Sequence, residues 1–301
     1  MGFNRMRIFA AGAMGMLGRE LCEMLEAQGY APEKSDLPDL DLCDLNAVTS
    51  RLARFKPDVV INCAAYTNVD ACETDISGAY KGNAVIPANL AVASNKLGAA
   101  LVHVSTDYVF DGEARIPYTE DAPTHPQTVY GKSKRLGELN VMGLTNRYFI
   151  LRTQWLFGKH GKNFVKTMLS LAKTQPELRV VGDQFGAPTY VRDLAAAICA
   201  LIKTEAYGVY HVSNGSRMSD VSDVSGQVDA PYCSWYRFAT DILNMAGVDV
   251  PVVPCSTADF PRPARRPHFS VLDNTYFQAR GFEPLRHYRE ALRDYLKEEL
   301  R

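Results

Sequence analysis

Apolar positions along the chain alternate between two rhythms: short unbroken runs, and longer stretches that repeat every three or four residues. The run at 8–11 is followed by Leu17, Leu21, Met24 and Leu25, which share one helical face. Apolar runs at 58–65, 100–104 (continuing into 105–110) and 148–155 predict further buried strands. Helical repeats intervene at 79–97 and 129–142. Strands of this kind separated by amphipathic helices are the pattern of a parallel sheet covered on both faces. A second strand belongs near 29–36, where Ala31, Pro32, Glu33 and Lys34 make a poor one and only position argues for it. Asp44 is placed to cap the helix after it. Of Asn83 and Asn89, inside the 79–97 repeat, one is expected to face solvent or cap a local break.

Beyond residue 155 the rhythm loosens. A glycine break at 158–161 precedes a helix at 163–172 and a short strand at 178–181. A loop then leads to a helix starting near Asp193, and 207–212 reads as another strand. Residues 215–231 are rich in serine, aspartate and glycine without periodicity, which predicts a surface excursion. A helix at 234–247, an irregular proline- and arginine-rich stretch at 251–267 and an amphipathic helix at 286–296 close the chain. The expected fold is α/β: a Rossmann-like doubly wound parallel sheet with a smaller C-terminal substrate-binding lobe. The sheet domain would span 1–155 with returning segments at 186–212, and the lobe 156–185 and 213–301.

Composition narrows the partners. With 301 residues, 47% of them apolar, and a net charge of −1, the chain can bury a large core. That charge gives no reason to expect nucleic acid or an anionic membrane. No apolar run is long enough to span a bilayer, and no targeting signal opens the chain. Seven cysteines without a CxxC pattern read as free thiols in a reducing cytoplasm. The six histidines show no metal-ligand spacing, so no metal site is expected.

Candidate chemistry begins at Gly12, Gly15 and Gly18, between the first strand and helix. A glycine turn there can seat a dinucleotide pyrophosphate on the helix N-terminus, although a plain tight turn has the same look. Asp36 lies where a carboxylate would accept bonds from an adenosine ribose, a solvated loop aspartate being the alternative. Leu37 and Pro38 offer no cation for a 2′-phosphate, which leans toward NADH over NADPH, with Lys34 and Arg19 still within reach. Tyr130 and Lys134, four apart on one helical face, suit a phenol that gives up a proton beside an ammonium. Ser105 and Thr106 end a strand, where a hydroxyl can polarise a carbonyl or simply cap the strand. Asp107 either orients that network or forms a turn. His103 reads as a packed residue rather than a base, and Cys63 has no basic neighbour.

These residues sit within longer stretches: GAMGMLGREL (12–21), VHVSTDYVFDG (102–112), VYGKSK (129–134), RTQWLFG (152–158), DQFGAPTY (183–190) and RPARRPHFSVLDN (262–274). Together they resemble the extended short-chain dehydrogenase/reductases and, within them, the dTDP-4-dehydrorhamnose reductase family. The resemblance implies reduction of the C4 ketone of a dTDP-linked 4-keto sugar to dTDP-L-rhamnose by NADH or NADPH. It makes Tyr130 the proton donor, Lys134 its partner and ribose ligand, and Thr106 the third member. Gly12, Met14, Gly15, Met16, Leu17 and Gly18 would bind the pyrophosphate. Asp36, Asp44 and Leu45 would flank the adenosine, while Ala64, Ala65, Tyr66 and Ser105 would line the cofactor path. Asp107 and Trp155 would meet the sugar, and Arg265 with Arg266 the diphosphate. Asp107 itself, as an ordinary carboxylate, would have no proton to give at pH 7. Some relatives are dimers bridged by a divalent ion, which leaves a homodimer open, but nothing in the sequence supports Mg2+. Gln154 departs from the family's usual serine. A regulatory subunit without turnover, or a reductase of another nucleotide sugar, are the competing readings.

Overall fold

The computed structural model of the chain describes residues 6–215 and 230–300. Most of the excursion expected at 215–231 lies outside those residues. The chain opens with β1 (Ile8–Ala11), α1 (Met16–Ala27), β2 (Glu33–Ser35), α2 (Leu45–Phe55) and β3 (Val59–Asn62). Two short helices, α3 (Val69–Cys72) and α4 (Ile76–Tyr80), pass through a π-helical turn at Lys81–Val85 into α5 (Ile86–Leu97). Then come β4 (Ala100–Thr106), α6 (Val129–Leu144), β5 (Tyr148–Thr153), β6 (Leu156–Phe157), α7 (Phe164–Leu171) and β7 (Leu178–Val181). They are followed by β8 (Phe185–Gly186), β9 (Thr189–Tyr190), α8 (Val191–Leu201) and β10 (Gly208–His211). The last segment carries β11 (Cys233–Ser234), α9 (Trp235–Ala246), β12 (Val252–Cys255), α10 (Thr275–Ala279) and α11 (Tyr288–Glu299).

Six strands pair in parallel in the order β10-β5-β4-β3-β1-β2. The direction of winding reverses between β1 and β3, so a crevice opens at their carboxyl ends. Alternate residues of each strand face opposite sides, as strand geometry requires. Ile8, Val59, Ile61, Val102 and Phe149 pack with Leu21 and Leu25 of α1 and Leu194 and Ile198 of α8. Phe9, Val60, Leu101 and Ile150 pack with Leu52 of α2, Leu90 of α5 and Val141 of α6. Each such side chain contributes about 1.5–3 kcal/mol by leaving water. The first cluster continues into Phe157, Val165, Phe238, Tyr288 and Tyr295, so the helices beyond β5 share a core with the sheet.

Four local expectations need correction. The second strand is only three residues long, yet the Ser35 carbonyl accepts from Gly12 N and Ala13 N at 3.0 and 3.2 Å and so anchors the glycine turn. The run at 148–155 stops at Thr153 because Trp155 adopts a φ of 49°, which turns the chain out of the strand. The stretch read as irregular at 251–267 holds β12, which pairs in parallel with β7 despite Pro254. Neither asparagine of the long helix faces solvent. Asn89 donates to the Leu42 and Cys43 carbonyls, and Asn83 sits fully buried in the π-helical turn.

Candidate active site

The glycine turn is built by exclusion. Gly12 has a φ of 71°, and a Cβ there would stand 2.4 Å from the Ala64 backbone nitrogen. A Cβ on Gly18 would lie 2.1 Å from the Gly12 carbonyl oxygen, so only a glycine lets α1 pack this close to the turn. Gly15 has looser surroundings: it is exposed, its nearest obstruction is 3.4 Å away, and it caps α1 with no side chain bonded to the first turn. That helix end therefore leaves backbone N–H groups uncovered at the crevice, which suits a pyrophosphate. Asp36 braces the turn from below, its Oδ2 accepting from Met14 N at 2.9 Å and its Oδ1 from Leu37 N. Lys34 is turned to Glu26, whereas Arg19 donates to the Met14 carbonyl beside Asp36.

The far wall of the crevice is fixed by a residue whose role no motif indicated. Asn83 accepts from Tyr66 N at 2.9 Å and donates to Tyr66 O and to Ser133 Oγ, both at 3.1 Å. It thereby ties the loop after β3 to α6. The π-helical bulge is what turns Asn83 inward.

Tyr130 and Lys134 lie on the buried face of α6, as their spacing predicts. Lys134 Nζ donates to the Val104 carbonyl at 2.6 Å. Burial pulls its pKa down to about 8, against the opposing pull of Glu138 and Cys63. Burial drives the Tyr130 phenol upward, partly offset by a hydrogen bond with Thr106. The Lys134 ammonium is hydrogen-bonded to the strand and not to the phenol. Ser105 and Thr106, adjacent on β4, point opposite ways. Ser105 donates to Glu138 at 2.6 Å, within a buried network where Arg152 holds both Glu138 oxygens, at 2.9 and 3.0 Å. Thr106 faces the tyrosine and donates to Asp107 Oδ1 at 2.9 Å. Asp107 is 3% exposed, and burial lifts its pKa to about 6, so it is not the ordinary carboxylate expected.

A cavity of about 880 Å³ joins these groups. Gly15, Met16, Leu17 and Ala65 border one end, and Ser105, Thr106, Asp107, Tyr130 and Lys134 its middle. At the other end stands Trp155, stacked on Trp235 with ring centroids 3.5 Å apart and planes within 9°. Gly186 makes room for that stack, since a Cβ there would meet the Trp155 ring at 2.5 Å. The arginine pair divides. Arg266 borders the cavity, bound to Asp70 at 2.7 Å and Tyr108 at 3.1 Å, while Arg265 leaves it for an ion pair with Glu113. Arg179 and Arg262 face the cavity as well and were not singled out in the sequence, nor were Trp235 and Ser270. Gly12, Met14, Gly18, Asp36, Asp44, Leu45, Ala64 and Tyr66 lie behind or beside the cavity rather than on its wall. Asp44 caps α2, accepting from Asn46 N and Ala47 N.

All seven cysteines are free thiols. Cys63 borders the cavity, and burial pushes its thiol up to about 12, which leaves it a poor nucleophile. Glu20, Glu23 and His160 each bring a ligand atom within 4.8 Å of the others, a group the spacing of histidines does not reveal. Arg192 already pairs with Glu20 at 2.7 Å, and Lys159 lies 3.6 Å from Glu23. Among the described residues no helix is long and apolar enough to cross a membrane.

The chain is similar to characterised sequences over nearly its whole length. It is 41% identical over 292 residues to the spore coat polysaccharide biosynthesis protein SpsK of Bacillus subtilis, covering 97% of each. A dTDP-4-dehydrorhamnose reductase from Clostridium acetobutylicum superposes with a TM-score of 0.91 at 44% identity, over 98% of this chain and 100% of that one. The dTDP-4-dehydrorhamnose reductase of Bacillus anthracis, solved in complex with NADP, gives a TM-score of 0.90 at 41% identity, over 98% and 99%. The model of the RmlD substrate binding domain matches residues 6–301, and with these likenesses the chain belongs to the dTDP-4-dehydrorhamnose reductase family.

Proposed function

We propose that the chain reduces the C4 ketone of dTDP-4-dehydrorhamnose to give dTDP-L-rhamnose, using NADH or NADPH. The observation that carries this reading is the convergence of Thr106, Tyr130 and Lys134 on one cavity that also reaches Gly15 and the Trp155–Trp235 stack. A bound reduced nicotinamide supplies the hydride. The protein's part is to hold the ketone and to deliver a proton. Tyr130 keeps its proton because burial disfavours phenolate, so it can give that proton to the alkoxide forming at the sugar C4 oxygen. Thr106, next to it, orients the phenol. Lys134, whose pKa burial lowers only to about 8, still carries its charge near neutral pH and favours the tyrosinate left after transfer.

The pyrophosphate of the cofactor sits on the uncovered first turn of α1, with Gly12 and Gly18 shaping the turn and Met14, Met16 and Leu17 around it. At the adenosine end Asp36 has acceptor capacity left for a ribose 2′-hydroxyl, and Arg19 beside it suits a 2′-phosphate. Both cofactors are therefore expected to serve, in keeping with the NADP complex of the Bacillus anthracis relative. Asp44 and Leu45 flank that end, Ala65 and Ser105 line the path to the nicotinamide, and Ala64 and Tyr66 stand beside it. The sugar meets Asp107 and the Trp155 face. The diphosphate is met by Arg266 together with Arg179 and Arg262, which border the cavity, rather than by Arg265, which turns away from it to Glu113.

The test is oxidation of NADH and NADPH with enzymatically prepared dTDP-4-dehydrorhamnose. Tyr130→Phe is expected to lower kcat about 10²–10⁴-fold while leaving cofactor affinity unchanged. Cofactor binding without turnover would favour a regulatory subunit, and equal turnover of GDP-linked 4-keto sugars would remove the dTDP assignment.

A further inference from the structure

The turn that follows β4 carries Tyr108, which touches α6 twice at the level of the proton donor. Its carbonyl oxygen would stand only 2.2 Å from a Cβ on Gly131, so the glycine next to Tyr130 is what admits it. Its ring meets the Tyr130 ring edge to face, with centroids 5.4 Å apart and planes at 79°. The far end of the same side chain is held by the segment after β12: the Tyr108 hydroxyl accepts from Arg266 Nη1 at 3.1 Å. Arg266 Nη2 in turn donates to Asp70 Oδ2 at 2.7 Å, and Asp70 Oδ1 accepts from the Ala264 amide at 3.3 Å. Asp70, Tyr108, Tyr130 and Arg266 all border the cavity.

A side chain gripped at both ends constrains whatever packs on its ring. Anchoring the Tyr108 hydroxyl fixes where the ring lies, and hence the wall it offers to Tyr130. Arginine carries five N–H donors in a planar fork, and the contacts to Asp70 and Tyr108 use two of them. The same guanidinium can therefore meet a diphosphate without letting go of Tyr108. We propose that Tyr108 is a positioning residue that couples the diphosphate contact at Arg266 to the placement of the Tyr130 phenol. A diphosphate on Arg266 restricts the guanidinium further, and Tyr108 carries that restriction to the ring against which the proton donor rests.

Such a coupling makes the diphosphate count toward the chemical step as well as toward binding. Contacts remote from the reacting atoms accelerate a reaction when their binding energy is used to place groups there. Proton transfer from Tyr130 to the sugar C4 oxygen needs the phenol within hydrogen-bond reach, and a misplacement of about 1 Å can cost about a hundredfold. Burial pushes the Tyr108 phenol up to about 12, against the pull of Arg266, so it stays neutral and acts by its position. The helix α3 backs both ends of the arrangement. Asp70 lies in it, and Cys72, two residues on, packs in one buried cluster with Tyr130.

The inference rests on the proposed reading of Tyr130 as the proton donor and Arg266 as a diphosphate contact, but its first test does not need turnover. In protein carrying 13C at tyrosine Cζ, the Tyr130 resonance is the one lost in Tyr130→Phe. Saturation with dTDP is expected to shift it in the wild type. Tyr108→Phe keeps the ring and removes the hydroxyl, so it should still bind dTDP by calorimetry but lose most of that shift. Arg266→Lys keeps the charge without a fork to span Asp70 and Tyr108, and should lose the shift as well. In the assay Arg266→Ala should lower kcat about tenfold in the wild-type background and less than about twofold in Tyr108→Phe, while raising KM in both. Arg266→Lys takes its place where the alanine variant does not fold. No shift in the wild type, an undiminished one in Tyr108→Phe, or kcat losses that multiply independently at the two sites overturns the inference and leaves the proposed function standing. Failure of dTDP to bind the wild type overturns the diphosphate assignment and the inference with it. A shift that Tyr108→Phe abolishes, in a protein that reduces no dTDP-linked ketone, overturns the proposed function alone.

Discussion

The two ends of the cavity are made by different means. At the cofactor end the working surface is backbone: Gly12 and Gly18 bring β1, α1 and the loop after β3 together by having no side chain, and Gly15 uncovers the helix terminus. At the substrate end the surface is side chain. Trp155, Arg179, Trp235, Arg262, Arg266 and Ser270 are spread over more than a hundred residues of sequence and meet only in the folded chain. A backbone site tolerates almost no substitution at its glycines yet accepts varied neighbours. A side-chain site can be retuned residue by residue, and family members are expected to differ there.

That contrast can be broken at either end. The largest effect is expected from Gly12→Ala, whose Cβ would strike backbone at 2.4 Å with a φ of 71°. We expect more than about 3 kcal/mol of destabilisation by thermal or urea unfolding and loss of NADH binding by calorimetry. A stable variant that binds cofactor normally would show that the turn is not built by exclusion. Gly186→Ala comes next, since it displaces the indole of Trp155 at 2.5 Å. It should raise KM for the sugar nucleotide about tenfold and leave the cofactor Kd unaltered, because the two ends share no contact there. Arg266→Ala is expected to raise the same KM by about tenfold or less through loss of a charge-assisted contact, and it also strands Asp70. Arg265→Ala is the smallest: its partner Glu113 is exposed, so KM and stability should both stay within about 0.5 kcal/mol of wild type. A larger loss in Arg265→Ala than in Arg266→Ala would reverse the assignment of the diphosphate end.

The same contrast explains what could be read from the sequence. GAMGMLG announces the cofactor end because close backbone approach requires glycine at fixed spacing, and Tyr130 with Lys134 announces the middle because one helical turn joins them. Three residues of β2 carry no alternation, so Glu33–Ser35 is legible only as an edge strand filling a place in the winding. Asn83 escaped because an asparagine inside a helical repeat looks solvent-facing until a π-helical turn rotates it inward. The split of Arg265 from Arg266 could not be seen either, since their directions depend on Glu113 and Asp70, far away in the chain. The raised carboxyl of Asp107 depends on enclosure, which no local pattern records.

The stacked indoles have one more consequence. Trp155 and Trp235 are the only two tryptophans in the chain, and both stand in the cavity wall in contact with each other. All indole emission from this protein therefore originates at one end of the cavity, and the close face-to-face pair couples the two transitions. An occupant that slides against Trp155 changes the intensity of that emission and the near-ultraviolet dichroism together. The molecule thus carries its own optical gauge of occupancy at the Trp155 end of the cavity, silent to unfolding events confined to the glycine turn, and it requires no label.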